Sequence, residues 1–233
     1  MGLFKKANTS PVLVKTPKYP STEYPYYENT ELEQGTEEWR SWRKGVIGAS
    51  EAPTVMRENR WSSPEYLLDE KLGNKKEFQG NDVTREGHLL EIEARNLLIR
   101  NFKVELNPTI VQDGKIPYLA ASLDAITTNH SQVFEIKCGA RAYSMVEEKG
   151  VIPSYYKGQL QHILMITQLD TITYVAYRPF SKLITLEVER DDAYIERMRS
   201  AEIDFAELLL SKGHKMQKKF VGNPIDRLGN SDS

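Results

Sequence analysis

Phe134-Glu135-Ile136-Lys137 is predicted to form a short strand, because its apolar and polar side chains alternate as they do in a strand with one buried face. Alternation by two puts Glu135 and Lys137 on one surface, while Phe134 and Ile136 pack on the other. Asp124 precedes this strand by about the length of one hairpin. The pattern therefore predicts that two acids and a lysine meet at one place.

These residue types suit a metal-assisted hydrolytic site. Mg²⁺ takes oxygen ligands and usually keeps several waters, so one or two carboxylates and a substrate phosphate suffice to hold it. Asp124 and Glu135 fit this role, and Lys137 can orient or deprotonate the attacking water or stabilise negative charge. In the competing interpretation, Glu135 and Lys137 form the solvated face of an edge strand and Asp124 lies in a turn.

Residues 81–102 read as a long helix that carries a third candidate acid. Glu91 shares the apolar seam of this helix with Ala94 and Leu98, at i+3 and i+7. A glutamate on such a seam needs a partner. A metal ion and an ion pair with Arg95, one turn on, are both compatible with this position.

Pro153 is predicted to open a later helix that contains Gln159. A glutamine amide there can hydrogen-bond a phosphate or the attacking water, but a surface glutamine fits the spacing equally well. Gln161 is the alternative to Gln159, and Glu93 is the alternative to Glu91.

From Gln34 to Gly213, the order of these motifs resembles the lambda exonuclease-like, or YqaJ-type, viral recombinase nucleases of the PD-(D/E)XK superfamily. The motifs are Glu38 to Arg43, Ile47 to Glu51, Gly87 to Arg95, Ala121 to Ala125, Phe134 to Cys138, and Tyr156 to Gln161.

The resemblance implies a role for each matching position. The metal ligands would be Asp124, Glu135, Glu91 and the carbonyl of Ile136. Lys137 would be the catalytic lysine, with Gln159 and Tyr156 beside the scissile phosphate. Arg43 and Ser50 would bind a 5′-phosphate, which suits a guanidinium fork and a hydroxyl at a helix start. The further DNA contacts would be Trp39 and, as an apolar wedge, Phe78.

Each of the predicted phosphate and wedge residues also has an ordinary structural interpretation. Arg43 could be an exposed helix charge and Ser50 a helix N-cap. Phe78, the aromatic of a polar loop, could simply pack against its surroundings.

The implied activity is a processive, ATP-independent 5′-to-3′ exonuclease on linear double-stranded DNA. It would depend on Mg²⁺, with Mn²⁺ as a possible substitute, and would leave a 3′ strand for a single-strand annealing recombinase protein. The resemblance also implies a homotrimeric ring. Two alternatives are an endonuclease of the same superfamily and a non-catalytic DNA-binding module. No GxGxxG or Walker sequence surrounds Gly87, so ATP is not expected.

Composition narrows the class of protein. The chain has 233 residues, 39% of them hydrophobic, with no long apolar run, so we expect no membrane span and a cytoplasmic setting in a bacterial host. Its single cysteine, Cys138, excludes an intramolecular disulfide, a CxxC zinc site and a four-cysteine iron–sulfur cluster. Net charge is −2, so DNA must be met by local basic patches rather than bulk charge.

The predicted fold class is α/β, with a central mixed β-sheet flanked by helices in the PD-(D/E)XK, restriction endonuclease-like arrangement. The acids are expected at one edge of the sheet. The predicted division is an extended N-terminal arm (1–34), a nuclease domain (35–213) and a basic polar C-terminal tail (214–233). Strands are expected at 103–112, 118–122, 133–138, 171–177 and 183–190.

Overall fold

A computed structural model describes residues 4–6, 26–29, 31–75 and 82–225. Within these ranges the chain has the predicted α/β architecture, a mixed sheet flanked by helices. The strands are β1 (Phe4–Lys6), β2 (Tyr26–Asn29), β3 (Ile47–Gly48), β4 (Leu106–Asp113), β5 (Leu119–Thr127), β6 (Val133–Lys137), β7 (Thr171–Ala176), β8 (Ile184–Glu189) and β9 (Asn223–Ile225). The helices are α1 (Glu37–Lys44), α2 (Ala52–Val55), α3 (Pro64–Lys71), α4 (Asp82–Phe102), α5 (Ala140–Lys149), α6 (Lys157–Thr167) and α7 (Asp192–Ser211).

The strand order of the sheet is β1-β8-β7-β6-β5-β4-β2-β9, and the short β3 pairs in parallel with β5. β6 and β7 are parallel, because α5 and α6 carry the chain back between them. The strands that carry the predicted acids, β5 and β6, therefore have neighbours on both sides. The expectation that the acids lie at an edge of the sheet is wrong.

Side-chain caps set the starts of three helices. The hydroxyl of Thr36 accepts a hydrogen bond from the amide of Trp39 at 3.2 Å, and Ser63 caps α3 in the same way. The Asp191 carboxylate accepts from the amide of Tyr194 at 3.0 Å and caps α7. Such caps satisfy backbone donors that have no partner within the helix.

Two apolar clusters lie on opposite faces of the sheet. Helices α2, α6 and α7 contribute to the larger one. The other joins Ala94 and Leu98 of α4 to Phe134 and Ile136 of β6. Because Phe134 and Ile136 face α4, the period of two along β6 turns Glu135 to the opposite face, toward α6.

The structure adds elements that the sequence pattern did not predict. Helix α5 buries only Ala142, Tyr143 and Val146, too few residues for a clear helical stripe. Two described segments of the predicted arm are strands of the sheet, since β2 pairs with β4 and β1 with β8. In the predicted tail, β9 pairs with β2. Phe78, the predicted wedge, lies outside the described residues, and the limits of the three predicted regions stay a prediction.

Gly158 lets α6 approach α2 closely. A Cβ at this position would lie 3.0 Å from the backbone nitrogen of Pro53, closer than side-chain carbons normally pack. We expect Gly158→Ala to lower the free energy of unfolding by about 1–3 kcal/mol through overpacking. The measurement is urea unfolding followed by circular dichroism.

Gly87→Ala is the matched control, because Gly87 lies within helix α4 and a Cβ there would meet nothing within 4 Å. Alanine is the better helix former, so this variant should be neutral or more stable by up to about 1 kcal/mol. Equal stability of Gly158→Ala and the wild type would contradict the close helix contact.

Candidate active site

A β-bulge places Asp124. In the ladder between β4 and β5, Asn107 pairs with Ile126 and Thr109 with Leu123, so Pro108 faces two residues of β5 instead of one. Proline has no amide hydrogen to donate, which favours an irregular pairing at this point. A bulge can re-aim a side chain, and Asp124 is one of the two residues opposite Pro108. It therefore lies within a strand rather than in a turn.

Glu135 is the centre of a hydrogen-bonded cluster. Its side chain is 1% exposed, and its Oε1 accepts from Lys137 Nζ at 2.5 Å and from Gln159 Nε2 at 2.6 Å. The backbone amide of Ile136 donates to Asp124 Oδ2 at 2.7 Å. The structure thus brings together Asp124, Glu135, Lys137 and Gln159, and the solvated edge-strand interpretation does not hold.

Glu91 joins the cluster from helix α4 through Arg95. The guanidinium of Arg95 donates to Glu91 Oε1 at 2.5 Å and, through Nε, to the backbone carbonyl of Asp124 at 2.7 Å. The ion pair considered for Glu91 is therefore present and also ties α4 to the bulge. The second contact of Arg95 joins residues distant in the chain, and no sequence spacing indicates it.

Burial and the proximity of the acids raise the pKa values of the carboxyl groups in this cluster. Burial, together with the Asp124 charge, raises the pKa of Glu135 to about 8 and that of Glu91 to about 7. Burial also raises the pKa of Asp124. Burial alone would lower the pKa of Lys137, but the charges of Glu135 and Asp124 outweigh it and raise that pKa. A cation among these acids would relieve their mutual repulsion.

The donor set has the chemistry of a site for a hard divalent cation. Among the described residues, Glu135 Oε2 is buried and has no hydrogen-bond partner, although such an atom normally has one. Asp124, Glu135 and Glu91 all offer carboxylate oxygens, the ligand type that Mg²⁺ prefers. In the part of the chain described, no three His, Cys, Asp or Glu side chains are already gathered as a metal cage. One oxygen of each glutamate is instead bonded within the protein: Glu91 Oε1 accepts from Arg95, and Glu135 Oε1 accepts from Lys137 and Gln159.

Arg43 and Ser50, predicted as a pair from two separate motifs, are in contact. An Arg43 guanidinium nitrogen donates to Ser50 Oγ at 2.8 Å, and the guanidinium lies 5.2 Å from the ring centroid of Trp39. The indole nitrogen of Trp39 donates to Ser122 Oγ at 3.1 Å, which holds helix α1 against strand β5. Ser122 is two residues from Asp124, so this contact links the two sites through one strand.

A single cleft of about 720 Å³ contains both sites. Its lining includes Arg43 at the end of α1, Ser50 in the turn before α2, and Asp124, Glu135 and Lys137 of the sheet. One bound chain of phosphates could therefore contact both groups. The further cleft residues include Trp39, Glu91 and Gln159, together with Arg40, Ser122 and, from helix α4, Arg85, His88 and Leu89.

The structure distinguishes the competing candidates. Gln161 is buried and bonds the backbone of Glu189 and Asp191, so it serves packing, whereas Gln159 faces the acids. Glu93 accepts from the hydroxyl of Tyr177, outside the cleft lining. Tyr156 packs below Lys137, whose Nζ lies 5.1 Å from the ring centroid.

A curated relative shares part of this chain. The "uncharacterized protein YqaJ" of Bacillus subtilis (strain 168) is 28% identical over 179 residues, which cover 74% of this chain and 56% of the relative. The chain thus spans little more than half the length of this relative.

Solved structures share the fold. The alkaline exonuclease LHK-Exo of Laribacter hongkongensis superposes with a TM-score of 0.65 at 23% identity, over 76% of this chain and 94% of the other. The structure of LHK-Exo in complex with dAMP gives a TM-score of 0.66 at 24% sequence identity, with the same coverage of the two chains. A phage-related exonuclease from Haemophilus somnus 129PT gives a TM-score of 0.52 at 13% sequence identity, over 72% of this chain and 96% of the other.

The family model of the YqaJ-like viral recombinase domain matches residues 38–170. This range holds the Arg43 and Ser50 pair, the acids, Lys137 and Gln159, and it is more than half of the chain. The chain belongs to the YqaJ-like viral recombinase domain family.

Proposed function

We propose that this chain is a Mg²⁺-dependent 5′-to-3′ exonuclease that degrades one strand of linear double-stranded DNA without ATP. The observation that carries the proposal is the cleft shared by the acid–lysine cluster and the Arg43–Ser50 pair. The family membership and the fold shared with exonucleases support a nuclease. The direction of digestion, the processivity and the metal belong to the proposal.

Asp124, Glu135, Glu91 and the backbone carbonyl of Ile136 are the groups that would hold Mg²⁺, with Mn²⁺ as a substitute. When bound, the ion supplies Lewis acidity and lowers the pKa of a coordinated water. Glu135 Oε2, which is buried and has no hydrogen-bond partner among the described residues, would be satisfied by such an ion. Arg95 would keep Glu91 and the bulge at Asp124 in place through its two hydrogen bonds.

Lys137 and Gln159 would act on the scissile phosphate and the attacking water. The raised pKa of Lys137 keeps its ammonium group charged at neutral pH, which favours stabilisation of negative charge in the transition state over service as a base. The Gln159 amide now donates to Glu135, and the same donor could turn to a phosphate oxygen. Tyr156, beneath Lys137, would hold the ammonium group over the site.

The Arg43–Ser50 pair would set the direction in which the enzyme digests a strand. Guanidinium groups bind terminal phosphates through paired, charge-assisted hydrogen bonds. Ser50 lies in the short 3₁₀-turn Ala49–Glu51 that precedes α2 and offers its hydroxyl beside Arg43. A 5′-phosphate held there would position the end of the strand relative to the acids in the same cleft.

Processive digestion and transfer of the product are further parts of the proposal. A homotrimeric ring around the duplex would keep the enzyme on DNA although the net charge of the chain is only −2. The exposed 3′ strand would pass to a single-strand annealing recombinase protein. Basic side chains at the end of α1, Arg43 and Lys44, would supply local positive charge to the DNA.

Arg43→Ala tests the phosphate pocket. The variant should lose about tenfold to a hundredfold of the preference for a 5′-phosphorylated over a 5′-hydroxyl end, the range expected for hydrogen bonds to a charged group. The measurement is the initial rate of hydrolysis of two linear duplexes that differ only at the 5′ end, with Mg²⁺ and with EDTA.

Arg40→Ala is the matched control for Arg43→Ala. Arg40 lies on the same helix and lines the same cleft, but its guanidinium bonds the carbonyl of Gly35 rather than Ser50. Its loss should affect the two ends equally. An equal loss on both ends in Arg43→Ala as well would contradict a phosphate-specific pocket.

A further inference from the structure

Trp61 is an exposed aromatic side chain outside the lining of the cleft. It lies in the loop between helices α2 and α3, and 63% of its surface is exposed. A large ring left this exposed loses the stabilisation that burial would provide. The ring is therefore available to a ligand that would cover it.

Two hydrogen bonds hold the loop that contains Trp61 in place. The backbone amide of Trp61 donates to Asn59 Oδ1 at 2.9 Å, which closes a turn. Asn59 Nδ2 in turn donates to Thr54 Oγ1 at 2.8 Å, and Thr54 is buried in α2. The indole is therefore exposed on a fixed support, which reduces the entropy lost when a ligand binds.

A continuous series of rings joins Trp61 to Lys137. Trp61 meets Tyr155 edge-on, with ring centroids 4.8 Å apart. Tyr155 and Tyr156 lie 4.6 Å apart, and Lys137 Nζ lies 5.1 Å from the Tyr156 centroid. These contacts link Trp61 to the acid–lysine cluster through Tyr155 and Tyr156, although Trp61 itself lies outside the lining of the cleft.

Arg60 adds a positive charge to this aromatic surface. Its guanidinium lies 4.7 Å from the Trp61 centroid and 5.8 Å from that of Tyr155. Its side chain is exposed, so it can also contact a phosphate. Aromatic faces with an adjacent cation bind single-stranded nucleic acid, because bases stack on the rings and the cation meets the backbone.

We propose that Arg60, Trp61 and Tyr155 form a stacking subsite for the unpaired bases of single-stranded DNA beside the active site. The subsite rests on the proposed nuclease function for its biological sense, but its binding to single-stranded DNA does not depend on hydrolysis. Trp61 supplies the stacking face, Tyr155 connects it to the catalytic cluster, and Arg60 neutralises a phosphate.

Binding of a fluorescein-labelled oligo(dT) in EDTA tests the subsite, measured by fluorescence anisotropy on the full chain. Trp61→Ala should weaken binding about tenfold or more, the range of one lost base stack. Trp61→Phe keeps an aromatic face and should stay within a few fold of wild type. Arg60→Ala should lower the slope of log binding constant against log salt concentration by about the amount of one phosphate contact.

Tyr66→Ala is the matched control, because Tyr66 is also an exposed aromatic residue beside a cation. Lys75 Nζ lies 4.1 Å from the centroid of its ring, and Tyr66 is not part of the ring series that contains Trp61 and Tyr155. It should bind oligo(dT) as the wild type does. Unchanged binding by Trp61→Ala would overturn the subsite, as would a change in its oligomeric state on sedimentation, which would make Trp61 an interface residue.

The subsite and the nuclease function can fail separately. Weaker oligo(dT) binding by Trp61→Ala in a protein that hydrolyses no DNA with Mg²⁺ would leave the subsite standing and remove the nuclease. Normal hydrolysis by the wild type with unaltered binding by Trp61→Ala would keep the nuclease and remove the subsite.

Discussion

Lys137→Ala is expected to lower the turnover of linear duplex DNA by about 10²–10⁴-fold, the range for loss of a catalytic proton-transfer or charge-stabilising group. Lys137 Nζ contacts Glu135 Oε1 at 2.5 Å, and its charge lies among three acids that would surround the scissile phosphate. Binding of DNA should remain, because other groups of the cleft are unchanged. Single-turnover hydrolysis and anisotropy with the same duplex separate the two effects.

Lys157→Ala is the control for this substitution. Lys157 is likewise paired with a carboxylate, Asp191 at 3.0 Å, and lies over a tyrosine ring, Tyr194 at 4.4 Å, but it does not line the cleft. Its turnover should be close to that of the wild type. If Lys137→Ala also turned over at the wild-type rate, Lys137 would have no catalytic role.

Glu202→Ala is expected to cost about 3–5 kcal/mol in the free energy of unfolding, as when one partner of a buried ion pair is removed. His162 and Glu202 are both fully buried, and His162 Nδ1 lies 2.7 Å from Glu202 Oε1. The other ring nitrogen, Nε2, bonds the carbonyl of Ala120 at 3.0 Å. The pair therefore joins α6 and α7 to β5, the strand that carries Asp124.

The stability difference between wild type and Glu202→Ala should depend on pH. Burial alone lowers the pKa of His162, but the Glu202 charge and hydrogen bonds outweigh it and raise that pKa above its ordinary value. Because the pKa of His162 is higher in the folded than in the unfolded protein, its protonation stabilises the folded state. This stabilisation is complete below the unfolded pKa, about 6.5, and is lost as pH rises through the folded pKa. The difference should therefore be larger at pH 6 than at higher pH.

Urea unfolding across this pH range measures both effects. Glu196→Ala is the control, since Glu196 is an exposed glutamate on the same helix, and it should change stability by no more than about 0.5 kcal/mol. A similarly small change in Glu202→Ala would show that the buried pair does not support the sheet.

Local sequence signals predicted much of this arrangement. The caps at Thr36 and Ser63 act within one helical turn, so their effect can be read from a few residues. The alternation along β6 correctly placed Glu135 and Lys137 on one face. The contact between Arg43 and Ser50 was implied by family resemblance rather than by any local rule.

The features that sequence did not predict depend on contacts between distant segments. The bulge at Asp124 lies opposite Pro108 on another strand, and proline favours such an irregularity because it cannot donate to the ladder. The bond from Arg95 to the carbonyl of Asp124 spans 29 positions in the chain. The central location of β5 and β6 depends on the order in which later strands join the sheet, which alternation alone does not encode.

Strand-resolved digestion distinguishes a 5′-to-3′ exonuclease from an endonuclease and from a DNA-binding module. The substrates are a linear duplex labelled separately at each 3′ end, with a 5′-phosphate on one strand only, and a covalently closed circle, all with Mg²⁺ and no ATP. We expect progressive loss of the phosphorylated strand from its 5′ end while the other strand and the circle stay intact. Cutting of the circle would indicate an endonuclease, and an absence of Mg²⁺-dependent cleavage of every substrate would contradict the proposed nuclease and leave a DNA-binding module.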